Sequence, residues 1–111
     1  MESNRQKRIS RLLQKDLGEI FQIEAKSWFQ SAMITVTKVN VTADMSLARV
    51  YISIFGKDAN AVLGTIEIYN KQIRKKLGDR VKNQIRKVPE LRFFIDDSLD
   101  YLENIEKLLK E

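Results

Sequence analysis

The stretch MITVTKVNVTADMSLARVYISIF, residues 33–55, decides the fold of this chain. Its first ten residues, 33–42, are rich in β-branched types and alternate in polarity as a strand does. The alternation slips by one residue between Val36 and Val39. We therefore predict a β-bulge near Lys38, which brings the valine and isoleucine side chains of both halves onto one buried face.

A second strand is predicted from Leu47 to Phe55, after a short turn at residues 43–46. Its inward-facing residues are small or aliphatic and occupy every second position: Ala48, Val50, Ile52 and Ile54. Because the connection is so short, the two strands should form an antiparallel hairpin.

An amphipathic helix is predicted before the hairpin, from Asn4 to Ile23, because apolar residues recur there every three or four positions. Ser3 or Asn4 can cap its first turn through a side-chain oxygen. Gly18 lies in its interior, where glycine costs about 1 kcal/mol relative to alanine. We take this as a sign of close packing at Gly18.

A long helical pattern follows the hairpin, covers residues 60–87 and ends before Pro89, which disfavours a helical residue in front of it. Asp58 or Asn60 can cap its start. Gly78-Asp79 is the place where this pattern can bend or divide into two helices.

A third strand is predicted at residues 91–95, followed by a C-terminal helix that Asp97 or Ser98 can cap. The third strand follows a long helical connection, so it should lie parallel to one member of the hairpin and complete a three-stranded mixed sheet. The fold class is α+β with the order α-β-β-α-α-β and an additional C-terminal helix. This order fits the prokaryotic KH arrangement, and other small α+β folds are not excluded.

Composition sets the broad class of the protein. A chain of 111 residues with 43% hydrophobic and 32% charged residues suits one globular domain, spanning 1–111. The absence of cysteine and histidine excludes thiol chemistry, disulfides and imidazole catalysis. No apolar run approaches the roughly 20 residues of a membrane span, and the first residues are charged. We expect a cytoplasmic monomer without a membrane partner.

Positive charge is concentrated in two segments of the chain. Residues 1–15 carry five basic and one acidic side chains, and residues 71–87 carry eight basic and one acidic, whereas the remainder is net negative. Such clustering is typical of a protein with a polyanionic partner, although a solvated basic helix face is the alternative. The first cluster comprises Arg5, Lys7, Arg8 and Arg11.

The second cluster divides into two margins beside the apolar stripe if residues 60–87 are helical. One margin contains Lys71, Arg74, Lys75, Lys82 and Arg86, and the other contains Lys76, Arg80 and Lys87. Contacts from such cations to phosphates give affinity with little sequence information. Aromatic residues near these cations are limited to Tyr69, which we expect to pack in the core. The sequence therefore favours recognition of RNA shape and phosphate over base stacking.

Trp28-Phe29, directly after the first predicted helix, has two interpretations. The pair can seal the end of the core, which we favour, or can offer a stacking platform for a base.

Three segments of the chain resemble the ribosome-binding factor A family. The likeness is carried by residues 34–53 and 88–101, with Asp44 and Ser46 in the first and Val88-Pro89-Glu90-Leu91 in the second, and by 73–78 between them. The resemblance implies a type II KH-like fold and a non-catalytic role in late maturation of the small ribosomal subunit, bound to its rRNA in immature particles. It also implies a helix kink at an alanine-any-glycine sequence, which reads Tyr69-Asn70-Lys71 here.

Acidic residues offer no clear catalytic or metal site. Asp96-Asp97, with Asp100 and Glu103, has the composition of a carboxylate pair, yet these positions also suit a helix cap and first turn, which we favour. No phosphate-binding glycine loop, nucleophile elbow or metal-ligand spacing is present. We expect no enzyme activity, cofactor, metal or small-molecule substrate. A protein-interaction module whose basic helix docks an acidic partner is the alternative function.

Overall fold

The hairpin predicted from the sequence lies at the centre of the computed structural model, which describes residues 2–96. Strand β1, Met33–Val41, pairs antiparallel with β2, Leu47–Phe55. The register shifts between Val36 and Lys38, so that Thr37 is the extra residue of a β-bulge. The predicted bulge is thus confirmed, and it keeps Val36 and the later valines of β1 on the same buried face.

Strand β3, Glu90–Ile95, lies parallel to β2 and completes a mixed sheet in the order β1-β2-β3. This confirms the predicted parallel placement of the third strand. The predicted C-terminal helix and its caps at Asp97 or Ser98 lie outside the described residues.

Helix α1, Asn4–Trp28, begins at a capping box. The Gln6 backbone N–H donates to Ser3 Oγ at 3.1 Å, and the Ser3 N–H donates to Gln6 Oε1 at 2.8 Å, which selects Ser3 as the cap. The predicted end at Ile23 is wrong, because the helical hydrogen bonds continue to Phe29, whose N–H donates to Ala25 O. Helix α1 ends at Trp28, because residues 30 and 31, directly after the cap residue Phe29, have positive φ.

The long helical pattern after the hairpin forms two helices, α2 at Ala59–Ile68 and α3 at Asn70–Val81. Asp58 caps α2, since its carboxylate accepts from the N–H groups of residues 60 and 61. The break is the single residue Tyr69, at φ −90° and ψ 8°. It lies in the segment that the family resemblance indicated, and the bend considered at Gly78-Asp79 is wrong.

Packing explains why the helix breaks at Tyr69 and not at a glycine. The Tyr69 ring stacks on Trp28 with centroids 4.6 Å apart and is nearly perpendicular to the ring of Phe29. A negative φ of this kind is open to any residue, so the break requires no glycine. Gly78 instead lies inside α3 where a Cβ would meet Val88 Cγ2 at 3.3 Å, so it accommodates a close neighbour.

Two further expectations about the helices are wrong. Helix α3 ends at Val81, six residues before the predicted end, and residues 82–84 form an exposed turn in which the N–H groups of residues 84 and 85 both donate to Val81 O. Gly18 does not mark close packing, since a Cβ built there meets nothing within 4 Å. Apolar spacing and glycine content were therefore insufficient to fix these two features.

In the part of the chain that the structure describes, the three helices pack on one face of the sheet and none covers the other. The core joins Leu13 and Leu17 of α1, Val50 and Ile52 of β2, and Ile73 of α3, all fully buried. Helix α1 covers β1, α2 covers β2 and β3, and α3 packs between α1 and β3. Within residues 2–96, no helix is both long and apolar enough to cross a membrane.

Candidate nucleic-acid interface

The two basic segments of the sequence meet at one end of the molecule. Helix α3 runs antiparallel to α1, as shown by the contacts of Tyr69 with Trp28 at one end and of Arg80 with Asp16 further along. The loop after α3 therefore returns to the start of α1. A cleft of about 340 Å³ lies there between Arg5 of α1, the β1–β2 turn, and Arg86 and Lys87 of the α3–β3 loop, residues 82–89.

The start of α1 is fixed firmly enough to present its cations in a defined geometry. Gln6, part of the capping box, also donates from Nε2 to Val41 O at 3.0 Å in a buried hydrogen bond. Ser10 Oγ accepts from the Val41 N–H at 3.3 Å. These bonds hold the first turns of α1 against the edge of β1, while Arg5 and the other three predicted cations of this cluster are exposed.

The cations at the start of α1 stand where electrostatics disfavours them. The first turn of α1 contains no acidic residue and includes Arg5, with Lys7 directly after it. The N-terminal end of a helix carries positive partial charge, so acidic residues are stabilising there and basic ones are not. Stability alone therefore disfavours a cation in this first turn, which favours a binding role for Arg5.

Lys15 belongs with this cluster although the sequence reasoning did not select it. It lies four residues after Arg11 and seven after Arg8, so the three share one side of α1 at about 100° per residue. Lys15 is exposed and lines a groove between α1 and β1 together with Arg11. The helical spacing was the signal that could have identified it.

The cations of α3 divide into three sets according to what they face. Toward the strand, half-buried Arg74 donates from Nε to Pro89 O at 3.1 Å and from an Nη to Val88 O at 2.6 Å. This guanidinium ties the segment before β3 to α3. A structural task therefore occupies at least two of the five donors of Arg74.

Toward α1, two cations of α3 pair with acidic side chains. Lys76 Nζ lies 3.2 Å from Glu24 and 5.5 Å from the centre of the Trp28 ring. Arg80 donates to Asp16 at 2.9 Å and also pairs with Glu19. These side chains join the two helices.

Outward, α3 and the loop after it present cations to solvent. Lys71 and Lys75 lie one helical turn apart on α3 and are exposed, and Lys82, the first residue after the helix, is exposed as well. Arg86 and Lys87 are exposed in the α3–β3 loop, outside the helix, so the predicted helical margins do not extend to them.

The side chains of nine of the twelve predicted cations thus make no ion pair or hydrogen bond to any other residue in the range 2–96. We call these nine the free cations: Arg5, Lys7, Arg8, Arg11, Lys71, Lys75, Lys82, Arg86 and Lys87. They lie on α1, on the outer side of α3 and in the α3–β3 loop.

The carboxylate of Asp44 helps to hold the β1–β2 turn at the edge of the cleft. Asp44 accepts from Ser46 Oγ at 2.7 Å, from the Ser46 N–H at 3.1 Å and from Thr42 Oγ1 at 2.8 Å. These hydrogen bonds, that of the Ser46 hydroxyl first, lower the pKa of Asp44 to about 2. Asp44 is therefore ionised at neutral pH and moderates the positive charge of the cleft.

Trp28 and Phe29 seal the core, as the favoured interpretation predicted. Phe29 is buried, and its ring contacts Phe21 with centroids 5.6 Å apart. Trp28 is half-buried, with Tyr69 stacked on its ring and Lys76 over it. Tyr69 also packs as expected, and this aromatic group supports the helix break.

The acidic residues considered for catalysis fall mostly outside the described range. Asp97, Asp100 and Glu103 lie beyond it, while Asp96 Oδ2 accepts from Thr37 Oγ1 at 2.6 Å. Between residues 2 and 96, no group of histidine, cysteine or acidic side chains is arranged to hold a metal ion.

The order α-β-β-α-α-β, the mixed sheet and the helix pair broken at one residue define a type II KH-like protein. The family model described as Ribosome-binding factor A matches residues 5–109, so the chain belongs to the ribosome-binding factor A family. The resemblance read from the sequence is confirmed.

Individual relatives agree with this assignment. The chain is 48% identical to the ribosome-binding factor A of Flavobacterium johnsoniae, over 98% of its own length and 85% of the relative's. The crystal structure of ribosome-binding factor A from Thermus thermophilus is similar in fold, with a TM-score of 0.70 at 22% identity, covering 81% of this chain and 94% of that one.

A second comparison structure carries information about a partner. It is a homology model of the Thermus thermophilus ribosome binding factor A, fitted into the cryo-EM map of a 30S complex of that protein. Its TM-score to this chain is 0.64 at 26% identity, over 79% of this chain and 91% of the other.

Proposed function

We propose that this chain is a non-catalytic ribosome assembly factor that binds small-subunit rRNA through its basic helix surfaces and assists late maturation of the small ribosomal subunit. The whole chain, 1–111, acts as a single RNA-binding domain in the cytoplasm, as a monomer. Its partner is the immature small subunit.

The family membership supports the partner, because a relative at 26% identity is fitted in a complex with 30S. The arrangement of the free cations supports the mode of binding. Two segments separated by more than fifty residues in the sequence present them around the same cleft and along the adjoining helix. Cations without internal partners are available to neutralise phosphates and release counterions.

Phosphate contacts of this kind fix the position of the protein on RNA without reading bases. The KH-like helix pair carries no flexible glycine loop here, since its break is the packed residue Tyr69. Without such a loop, recognition depends on the shape and charge of the folded rRNA.

Salt dependence of binding tests the proposal directly. We change Lys75 and Lys82 together to glutamine, which is a good helix former and costs only tenths of a kcal/mol at exposed positions. Each neutralised phosphate contributes about 0.7–0.9 to the slope of log affinity against log salt, so the slope should fall by about 1.5 units. The measurement is affinity for purified small-subunit particles over a salt series.

A charge-matched control separates local contacts from generic attraction. Lys26 and Lys57 are exposed and lie outside the free cations, so their joint change to glutamine removes equal charge elsewhere. We expect the control to keep its slope within about 0.3 units, a small fraction of one phosphate contact. Equal losses in the two variants would refute binding through α3 and leave only the family assignment.

A further inference from the structure

The face of the sheet that α1, α2 and α3 leave uncovered carries a compact set of polar and aromatic side chains. The strand registers place residues 38, 51 and 94 in one row across the sheet, and residues 40, 49 and 92 in the next. Neighbouring strands lie about 4.8 Å apart and successive rows about 7 Å apart. We call this set the open-face patch: Lys38, Asn40, Arg49, Tyr51, Arg92 and Phe94.

An aromatic pair forms one side of this patch. The rings of Tyr51 and Phe94 are nearly parallel, with centroids 5.4 Å apart and planes 27° apart. Phe94 remains 40% exposed. A cross-strand aromatic pair stabilises a sheet by itself, so the rings alone do not indicate a ligand. Their cationic surroundings do.

Two arginines stand directly opposite each other beside the rings. Arg49 of β2 is the register partner of Arg92 of β3, both are exposed, and neither has an ion pair with any residue between 2 and 96. Like charges facing across a strand pair destabilise a sheet. Lys38, the register partner of Tyr51, adds a third cation on the other side.

The carboxylates of the same face stand at the ends of β3. Asp96 accepts a hydrogen bond from Thr37, and Glu90 lies opposite Leu47. The centre of the face is therefore cationic and aromatic. The facing arginines are unfavourable for the sheet alone, and together with the rings they fit an anionic, planar ligand.

We propose that the open-face patch binds unpaired nucleotides of RNA, with a base stacked against Phe94 and Tyr51 and the flanking phosphates on Arg49, Arg92 and Lys38. Stacking on an aromatic ring requires a base that is free of its duplex neighbours. The inference goes beyond the proposed function, because this patch and the helix surfaces lie on opposite faces of the sheet. It adds a single-strand site to a surface that recognises folded rRNA.

The aromatic contribution is tested on the full chain with a fluorescently labelled single-stranded RNA of eight nucleotides. We expect Phe94→Leu to weaken binding roughly 5- to 100-fold, which is the range for loss of one stacked base. Phe55→Leu is the matched control, since Phe55 is an exposed phenylalanine on the same strand face whose register partner is Met33. The control should bind within about twofold of the unchanged protein.

The arginines are tested separately, so that a folding defect in one variant does not decide the outcome. Arg49→Gln combined with Arg92→Gln should lower the salt slope for the single strand by about 1.5 units. An RNA duplex of equal length should respond less, because its stacked bases cannot use the rings. Amide NMR shifts on titration with the single strand should concentrate on β2 and β3.

Three results would overturn the inference. One is equal affinity of the Phe94→Leu and Phe55→Leu variants for the single-stranded RNA. Another is an equal loss of salt slope for the duplex and the single strand in the variant with both arginines changed. The third is an absence of amide shifts on the open face of the full chain, as expected if residues 97–111, a peptide or a second copy covers it. The joint change of Lys75 and Lys82 to glutamine should leave single-strand binding intact, so the two proposals fail separately.

Discussion

Helices α1 and α3 are both basic and pack side by side, yet they use their cations differently. Helix α1 begins at a side-chain capping box, whereas the residue before α3, Tyr69, makes no side-chain cap hydrogen bond. The acidic residues in the middle of α1 pair with Lys76 and Arg80 of α3. The cations at the start of α1 make no such ion pairs within the described part of the chain.

This difference shows why the net charge of a segment overestimates the number of cations that are available to a partner. Three of the eight basic residues between 71 and 87 hold the molecule together, and the remaining five are available to a partner. Neighbouring residues such as Arg74 and Lys75 have different tasks because they face different sides of one helix. Variants in the two helices can test this division.

Arg74→Met should give the largest loss of stability among these variants. It keeps an unbranched side chain but removes the donors to Val88 O and Pro89 O. Pro89 is buried, so leaving these carbonyls without a partner should cost about 1–3 kcal/mol. Urea unfolding measures the change as a lower midpoint at unchanged slope.

Lys75→Met is the control for this substitution, since Lys75 is the next residue, is exposed and has no partner in the described part of the chain. It should change stability by less than about 0.5 kcal/mol. If Arg74→Met changed stability as little as Lys75→Met, the structural role of Arg74 would be refuted and its side chain would be counted among the cations available for RNA.

The sequence predicted most of the sheet because strand alternation is local information. The bulge near Lys38, the limits of β2 and the inward set from Ala48 to Ile54 are all as predicted, since each follows from a period of two and from one slip in it. The family resemblance indicated the segment of the helix break, whereas the glycine at Gly78-Asp79 had suggested that site as the place where the helix could bend.

Features that depend on contacts between distant residues were not predictable in this way. The end of α1 at Trp28 and the break at Tyr69 are one feature, a stack between residues about forty positions apart. Arg49 and Arg92 also look scattered in the sequence, and only the parallel register of β2 and β3 brings them together. The aromatic residues of the open face were missed for the same reason.

Glycine substitutions sharpen the comparison of the two helices at a smaller scale. Gly18→Ala in α1 should raise stability by about 0.5–1 kcal/mol, because alanine is the better helix former and nothing obstructs its methyl group. Gly78→Ala in α3 should gain less or nothing, since Val88 Cγ2 lies 3.3 Å from the added Cβ and must move. Thermal unfolding of both variants measures the difference. A larger gain in stability for Gly78→Ala than for Gly18→Ala would mean that Val88 and the α3–β3 loop move aside at little cost.

The smallest expected change in stability comes from the helix dipole, and it can be distinguished from a change in binding. Lys7→Glu places negative charge near the start of α1 and creates a favourable pairing with Arg11 four residues later, so we expect a gain of about 0.5 kcal/mol at low salt. Affinity for small-subunit particles should fall in the same variant. Lys26→Glu is the opposite control, because Lys26 lies in the last turn of α1, where a cation is favourable. It should lose stability and keep its affinity.

A Lys7→Glu variant that gains stability and binds as before would show that the start of α1 is a solvated basic surface, and the interface would then be confined to α3 and the loop after it.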